Sequence, residues 1–168
     1  MKKVLMVMLA TAFIFSFAMA GAAQAQKIGY LDLSKTFDNY EKTKEYDKVL
    51  EAEHDAYQKE RNTKIEKIQE LQGKLALLKE EEKQKQQDEI DKLITELRDF
   101  DQAKGTDLTK KRDDKIREIL LEVEDAVSGY AKKEGFDFIL NDRVLIYGQD
   151  SMNVTDAILE ILNSGYKK

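Results

Sequence analysis

The chain contains one histidine, His54, and no cysteine. Any metal or nucleophilic chemistry would have to start from that imidazole. It lies in Glu51-Ala52-Glu53-His54-Asp55, and a single His among solvated carboxylates is weak equipment for a metal centre, which needs several converging ligands. His54 therefore reads as a surface residue of a charged helix. Without Cys there is no thiolate nucleophile, no thiolate ligand and no disulfide. No Gly-rich run is placed to cradle a phosphate. Carboxylates abound, with 33 Asp and Glu, but none stands apart from the helix surface as an acid/base pair. These residue types predict neither an enzyme nor a cofactor, and they leave binding as the chemistry to explain.

The N-terminus predicts where that binding takes place. Met1-Lys2-Lys3 is a basic start, Val4 to Ala20 is apolar and uncharged, and Ala23-Gln24-Ala25 is a small-x-small cleavage site. This order is that of a secretory signal peptide over residues 1–25, with the mature chain beginning at Gln26. The apolar run is short for a membrane span, and no later run is long enough for one. Loss of Lys2 and Lys3 takes the formal net charge from −5 to −7. An acidic chain without a basic stripe is a poor partner for nucleic acid.

Charged residues make up 36% of the chain, above the usual quarter, which favours exposed helix over a thick core. From 36 to 134 apolar residues recur every three or four positions. Phe37, Tyr46, Leu50, Ile65, Ile68, Leu71 and Leu75 lie on one side, and Ile90, Leu97, Leu108, Ile116, Ile119, Leu120 and Val123 on the other. The seam is narrow and helical, as in a coiled coil. Glu80–Glu89 has no apolar residue, so a reversal near 80–89 predicts two antiparallel arms. Gly135, after Lys132 and Lys133, suits the end of the second arm. Between the arms, 59–64 would face roughly 105–110. Both stretches are nearly free of apolar residues, and Gly105 weakens a helix, so a soft point is expected there.

The remaining segments, 26–35 and 135–168, are β-prone and end in a helix. Lys27–Leu33 (KIGYLDL) reads as a strand followed by a Ser34 cap. Phe136–Leu140 and Arg143–Tyr147 around Asn141-Asp142 read as a β-hairpin. Asn153 or Thr155 then caps a short helix carrying Ile158, Leu159, Ile161 and Leu162. Three short strands and one helix bury little apolar area alone and leave open edges. Self-association through this body is expected. Its candidates are Ile28, Tyr30, Leu31, Phe136, Phe138, Ile139, Leu140, Val144 and Ile146. The fold class is α+β, mostly α, with a long antiparallel helical-hairpin arm on a small β oligomerisation body.

The two ends carry the more specific pattern. KIGYLDL at Lys27–Leu33, GFDFIL at Gly135–Leu140 and NVTDAIL at Asn153–Leu159, before Leu162-Asn163, resemble in order and spacing the OmpH/Skp family of periplasmic chaperones. The last piece resembles that family's D-I-T-D-x-V-I pattern with Asn153 in place of the first Asp, and Asn caps a helix equally well. The resemblance covers the mature chain. It implies a jellyfish-like homotrimer in the periplasm of a Gram-negative bacterium. Its strands would join in a central barrel-like body, and its arms would enclose unfolded outer-membrane proteins without using ATP.

Under that reading, apolar residues off the seam are the expected client contacts. Leu77 lies about 200° around the helix from Leu75, and Ile94 lies at the seam's edge. Well-known members of the family are basic, whereas this mature chain carries −7, so no lipopolysaccharide site is carried over. The alternative is a structural or adaptor coiled coil of the cell envelope that binds one folded partner.

Overall fold

The computed structural model describes residues 26–166, so the expected signal segment lies outside the described residues. Two strands, β1 (Ile28–Leu31) and β2 (Phe138–Asn141), pair in parallel, with Ile28 opposite Phe138 and Leu31 opposite Asn141. Parallel neighbours cannot be joined by a tight turn and need a crossover. Here the crossover is the whole helical arm. The junction is closed by a reciprocal pair: the Asp137 N–H donates to the Lys27 carbonyl at 2.8 Å, and the Lys27 N–H donates to the Asp137 carboxylate at 2.8 Å.

After β1 come a short helix α1 (Leu33–Asn39) and the first arm helix α2 (Glu41–Leu75). The α1 cap is Asp32 rather than Ser34: its carboxylate accepts the Lys35 N–H at 2.7 Å. Tyr40 is extended, with φ −68° and ψ 126°, and separates the two helices. It offers no side-chain cap to α2. The Glu41 N–H instead donates to the Asn163 side chain at 2.9 Å, so the far end of the chain caps the arm's first helix.

The reversal comes earlier than expected. Helix α2 stops at Leu75, residues 76–79 form the turn, and the second arm helix α3 runs Glu80–Glu134. The stretch placed at the reversal, near 80–89, forms the first turns of α3. Lack of apolar residues is not helix breakage: Glu, Lys and Gln are strong helix formers. Glu80, Glu81 and Glu82 in the first turn suit the positive end of the helix dipole. Further along, Gln84 donates to Asp88 and Gln87 to Asp91, each at 2.8 Å. The far end is as expected. Gly135 adopts the left-handed conformation (φ 74°), and the Phe136 N–H reaches back to the Ala131 carbonyl at 2.9 Å.

An earlier turn slides the arms along each other. Tyr46 lies against Lys115, whose ammonium is 4.4 Å from the ring centre. Leu50 shares a hollow with Leu108 and Arg112.

The expected β-hairpin after β2 does not form within the chain. The Asn141 side chain accepts the Arg143 N–H at 3.1 Å, which turns the backbone into a 3-10 turn at Asp142–Val144. Asn and Asp favour this local turn because the side chain mimics a backbone acceptor. Val144 and Ile146 are therefore exposed turn and loop residues, and the described sheet has two strands, not three. A second 3-10 turn, Asp150–Met152, leads to helix α4 (Thr155–Gly165). Asn153 accepts the Thr155 N–H at 2.9 Å, while the Thr155 hydroxyl accepts the Asp32 N–H at 2.9 Å and ties α4 to the end of β1.

Apolar burial falls into two separate clusters. At the arm's root, Leu31, Tyr40, Ile119, Val123, Val154, Ile158 and Leu162 bring both arm helices, β1 and α4 together. Near the turn, Ile68, Leu71 and Ile90 pack with Leu75, Leu93 and Leu97. Between Thr43 and Ile68 on α2, and between Ile90 and Ile119 on α3, no residue is buried.

Candidate binding surfaces

At the root, the arm is held by charge as well as apolar packing. Lys42 donates to Glu118 at 2.6 Å and to Glu122 at 2.5 Å, Lys115 donates to Glu118 at 2.7 Å, and the Tyr40 hydroxyl donates to Glu122 at 2.9 Å. Hydrogen bonds from Lys115 and then Lys42 hold the Glu118 carboxyl down at about 2, against a smaller opposing effect of burial. Burial works against the Lys42 ammonium, but its bonds to Glu118 and Glu122 outweigh that and raise its pKa. Burial, then the bond to Glu122, push the Tyr40 hydroxyl up to about 12. For Tyr40, Lys42 and Glu118 the shifts lead away from neutral pH, so the network acts as a clamp.

At the other end, Leu77 sits in the turn and is 86% exposed. Its N–H closes the turn onto the Lys74 carbonyl at 2.9 Å, while its side chain packs on neither buried cluster. Ile94 is also exposed, at the rim of the cluster near the turn. It lies about 20 Å beyond the start of α3 at 1.5 Å per residue, so the two candidates are separate spots and not one patch.

The body candidates divide by side. Leu31 is buried, and Phe136 and Ile139 pack on the root cluster. Phe136 also stacks on Tyr130 and lies under the Lys27 ammonium. Ile28, Phe138, Leu140, Val144 and Ile146 face outward, with Ile146 fully exposed. Tyr30 is half-buried, and its ring fills the space beside Gly148, where a Cβ would come within 2.6 Å of it. Ile28 pairs with Phe138, and Leu140 lies two residues further along β2, so these three share one side of the sheet, while Val144 and Ile146 add exposed apolar side chains in the turn and loop that follow.

Polar contacts join the arms at mid-length. Arg61 pairs with Asp101 at 3.0 Å, the Tyr57 hydroxyl donates to Asp101 at 3.0 Å, and Lys111 donates to Glu53 at 2.8 Å. A hollow of about 240 Å³ lies between the arms, lined by Tyr57, Glu60, Lys104 and Leu108 among others. His54 is exposed, with its ring 6.1 Å from that of Tyr57. Among the described residues no His, Asp or Glu group is arranged to hold a metal.

Ile116, Leu120 and Leu121 on α3 are exposed, so the seam on this helix excludes Ile116 and Leu120. The signal was the run Ile119-Leu120-Leu121. At 100° per residue, three consecutive positions cannot all face one partner helix.

A family model described as outer membrane protein (OmpH-like) matches residues 27–162. The chain belongs to the OmpH-like family. Its relatives include proteins named chaperone protein Skp. The one from Vibrio cholerae is 28% identical over 162 residues, covering 86% of this chain and 88% of its own. That of Photorhabdus luminescens is 27% identical over 149 residues, covering 84% and 88%. A crystal structure of an OmpH-like outer membrane chaperone from Caulobacter crescentus superposes with a TM-score of 0.77, covering 88% of this chain and 89% of that one at 10% identity. At such low identity the likeness speaks for the fold, and it extends over arm and body alike. No helix among the described residues is long and apolar enough to cross a membrane.

Proposed function

We propose that this OmpH-like protein is an ATP-independent holdase of the periplasm, which binds unfolded outer-membrane proteins and keeps them from aggregating in transit. The observation that carries the reading is the arm. Two helices of 35 and 55 residues pack on each other and, with the turn between them, present scattered exposed aliphatics, among them Leu77, Ile94 and Leu121, over a highly charged surface. The naming of relatives as Skp chaperones supports the same reading. Weak contacts spread along an arm suit a client with no fixed shape, because several together give avidity without a deep pocket. Binding the unfolded state lowers its free concentration, which opposes aggregation by mass action.

The working form in this proposal is a homotrimer joined through the outward face of Ile28, Phe138, Leu140, Val144 and Ile146. Burying such a face would stabilise a body too small to supply its own core. Steering by long-range charge should favour basic over acidic clients, given the acidic mature chain. The test is light scattering from a urea-unfolded outer-membrane β-barrel protein diluted into buffer with the purified mature chain, its mass read by multi-angle scattering. Suppressed aggregation at about one trimer per client is the expected result. No suppression at several-fold excess of a folded trimer would sink the holdase and leave an adaptor for one folded envelope partner.

A further inference from the structure

We propose that the last turn of α4 is a latch that sets the direction in which the arm leaves the body, with Asn163 and Tyr166 as its positioning residues. The two arm helices join the body differently. Helix α3 runs unbroken to Glu134, and Gly135 ends it just before β2. Helix α2 begins at a joint, where Tyr40 alone, in an extended conformation, separates it from α1. Rotation about the two soft dihedrals of one residue redirects everything beyond it. The 35 residues of α2 extend about 52 Å beyond the joint, so a swing of about 10° would carry the turn at 76–79 through about 9 Å.

The joint is held from outside its own stretch of sequence. A Ser, Thr, Asp or Asn just before a helix caps it locally, but Tyr40 gives α2 no side-chain cap. The cap comes from α4, 122 residues away: the Glu41 N–H donates to the Asn163 side chain at 2.9 Å. Two contacts of Tyr166 flank it. Its ring meets that of Tyr40 edge-on, with centres 5.8 Å apart, and its hydroxyl donates to Glu45, one turn into α2, at 2.9 Å. Asn163 and Tyr166 thus hold both the extended residue of the joint and the first turn of the helix beyond it.

The other end of α4 is fixed to the body. The Val154 N–H donates to the Tyr30 carbonyl at 2.9 Å, the Thr155 hydroxyl accepts the Asp32 N–H at 2.9 Å, and Asp156 pairs with Lys35 at 2.8 Å. Between the two ends, Ile158 and Leu162 are buried in the root cluster. Helix α4 is therefore a brace across the joint, with one end on β1 and α1 and the other on α2. A cap at position 40 would stabilise the start of α2 and leave the joint free. A cap carried on α4 ties the arm's first helix to the body as well. With the latch open, the Lys42 bonds to Glu118 and Glu122 and the root cluster still join α2 to α3. The consequence is a wider range of arm directions and not an unfolded root.

The chain has no cysteine, so Ser151→Cys in the body and Asp55→Cys on α2, both at exposed positions, can carry a pair of spin labels. The test is double electron–electron resonance on the full mature chain, mixed with excess unlabelled chain so that only pairs within one chain contribute. Asn163→Ala should at least double the width of the distance distribution. It should also quicken exchange of the Glu41 amide about tenfold, the effect of losing a cap. Tyr166→Phe, which keeps the ring and removes only the bond to Glu45, should widen the distribution less. Asn163→Asp, whose carboxylate also accepts the Glu41 N–H, should keep both readings at wild-type values. Exchange at Ile158 should stay unchanged throughout. An unchanged width in Asn163→Ala would overturn the latch. Equal widening by Ile68→Ala, which weakens the distant cluster near the turn, would overturn it too, by tracing the motion to stability alone. So would loss of the fold in Asn163→Ala, because the latch is an element that both cores can do without.

Discussion

The root and the middle of the arm are made of the same two helices, yet different forces hold them. At the root, Ile119 and Val123 are almost wholly buried against Tyr40, Ile158 and Leu162, and the Lys42–Glu118–Glu122 network closes over them. At mid-length no side chain is buried, and the helices meet through Tyr57, Arg61 and Asp101, Glu53 and Lys111, and a hollow. Apolar burial scales with the area removed from water and is not screened by salt, while exposed ion pairs contribute little and are screened. The root should therefore behave as a rigid socket. The middle should open locally at a small free-energy cost, which a holdase for clients of different sizes can use.

The largest expected effect tests the root. Ile119→Ala should destabilise the protein by about 2–5 kcal/mol, whereas Leu108→Ala at mid-arm, where the residue is only half-buried, should cost less than about 1 kcal/mol. Equal losses in urea unfolding would erase the distinction. Next, amide exchange around Asn62 and Gly105 should be faster than around Leu71 and Ile119. Gly105→Ala should slow it, because alanine favours helix by up to about 1 kcal/mol and its Cβ enters open space. Protection around Gly105 already equal to that around Leu71 in the wild-type chain would refute a soft middle.

A smaller effect is expected from Arg61→Ala. The pair with Asp101 is about one-third exposed on each side, so global stability should change by less than about 1 kcal/mol. Exchange should quicken between the two clusters and stay unchanged at the root. The smallest effect comes from acid. The Glu118 carboxyl is held at about 2, below its unfolded value of about 4.3. Its contribution is complete above that value and is lost as the pH falls from there toward 2. Glu118→Gln should therefore flatten the acid limb of stability in that window. An NMR titration placing the Glu118 carboxyl in the ordinary carboxylate range would show that the clamp is not formed in solution.

Several of these features were legible in single residues. Gly135 with Lys132 and Lys133 marks the end of α3, and Asn153 accepts the Thr155 N–H just ahead of α4, although Val154, and neither Asn153 nor Thr155, holds the cap position. The turn was misplaced because Glu80–Glu89 lacks apolar residues, and solvent-facing helix and loop share that composition. The sparse middle around 59–64 and 105–110 was readable as missing apolar residues, although its actual neighbours follow the shifted register. The Lys42 clamp and the Ile116–Leu120–Leu121 stripe were harder to see, because both depend on which side of α3 turns toward α2.

Sequence alone determined the helical character, the paired β-prone ends, the resemblance to OmpH/Skp chaperones and the absence of cysteine chemistry. These follow from residue type and from periodicity along one chain. Only the tertiary structure decided where the chain reverses, that residues 143–147 form no strand within this chain, and that the arm has two separate cores. The physical reason is that register is a relation between distant segments. A shift of a few residues along a helix costs little locally, and it is settled only when Ile68, Leu71 and Ile90 at one end, and Ile119 and Val123 at the other, are buried together.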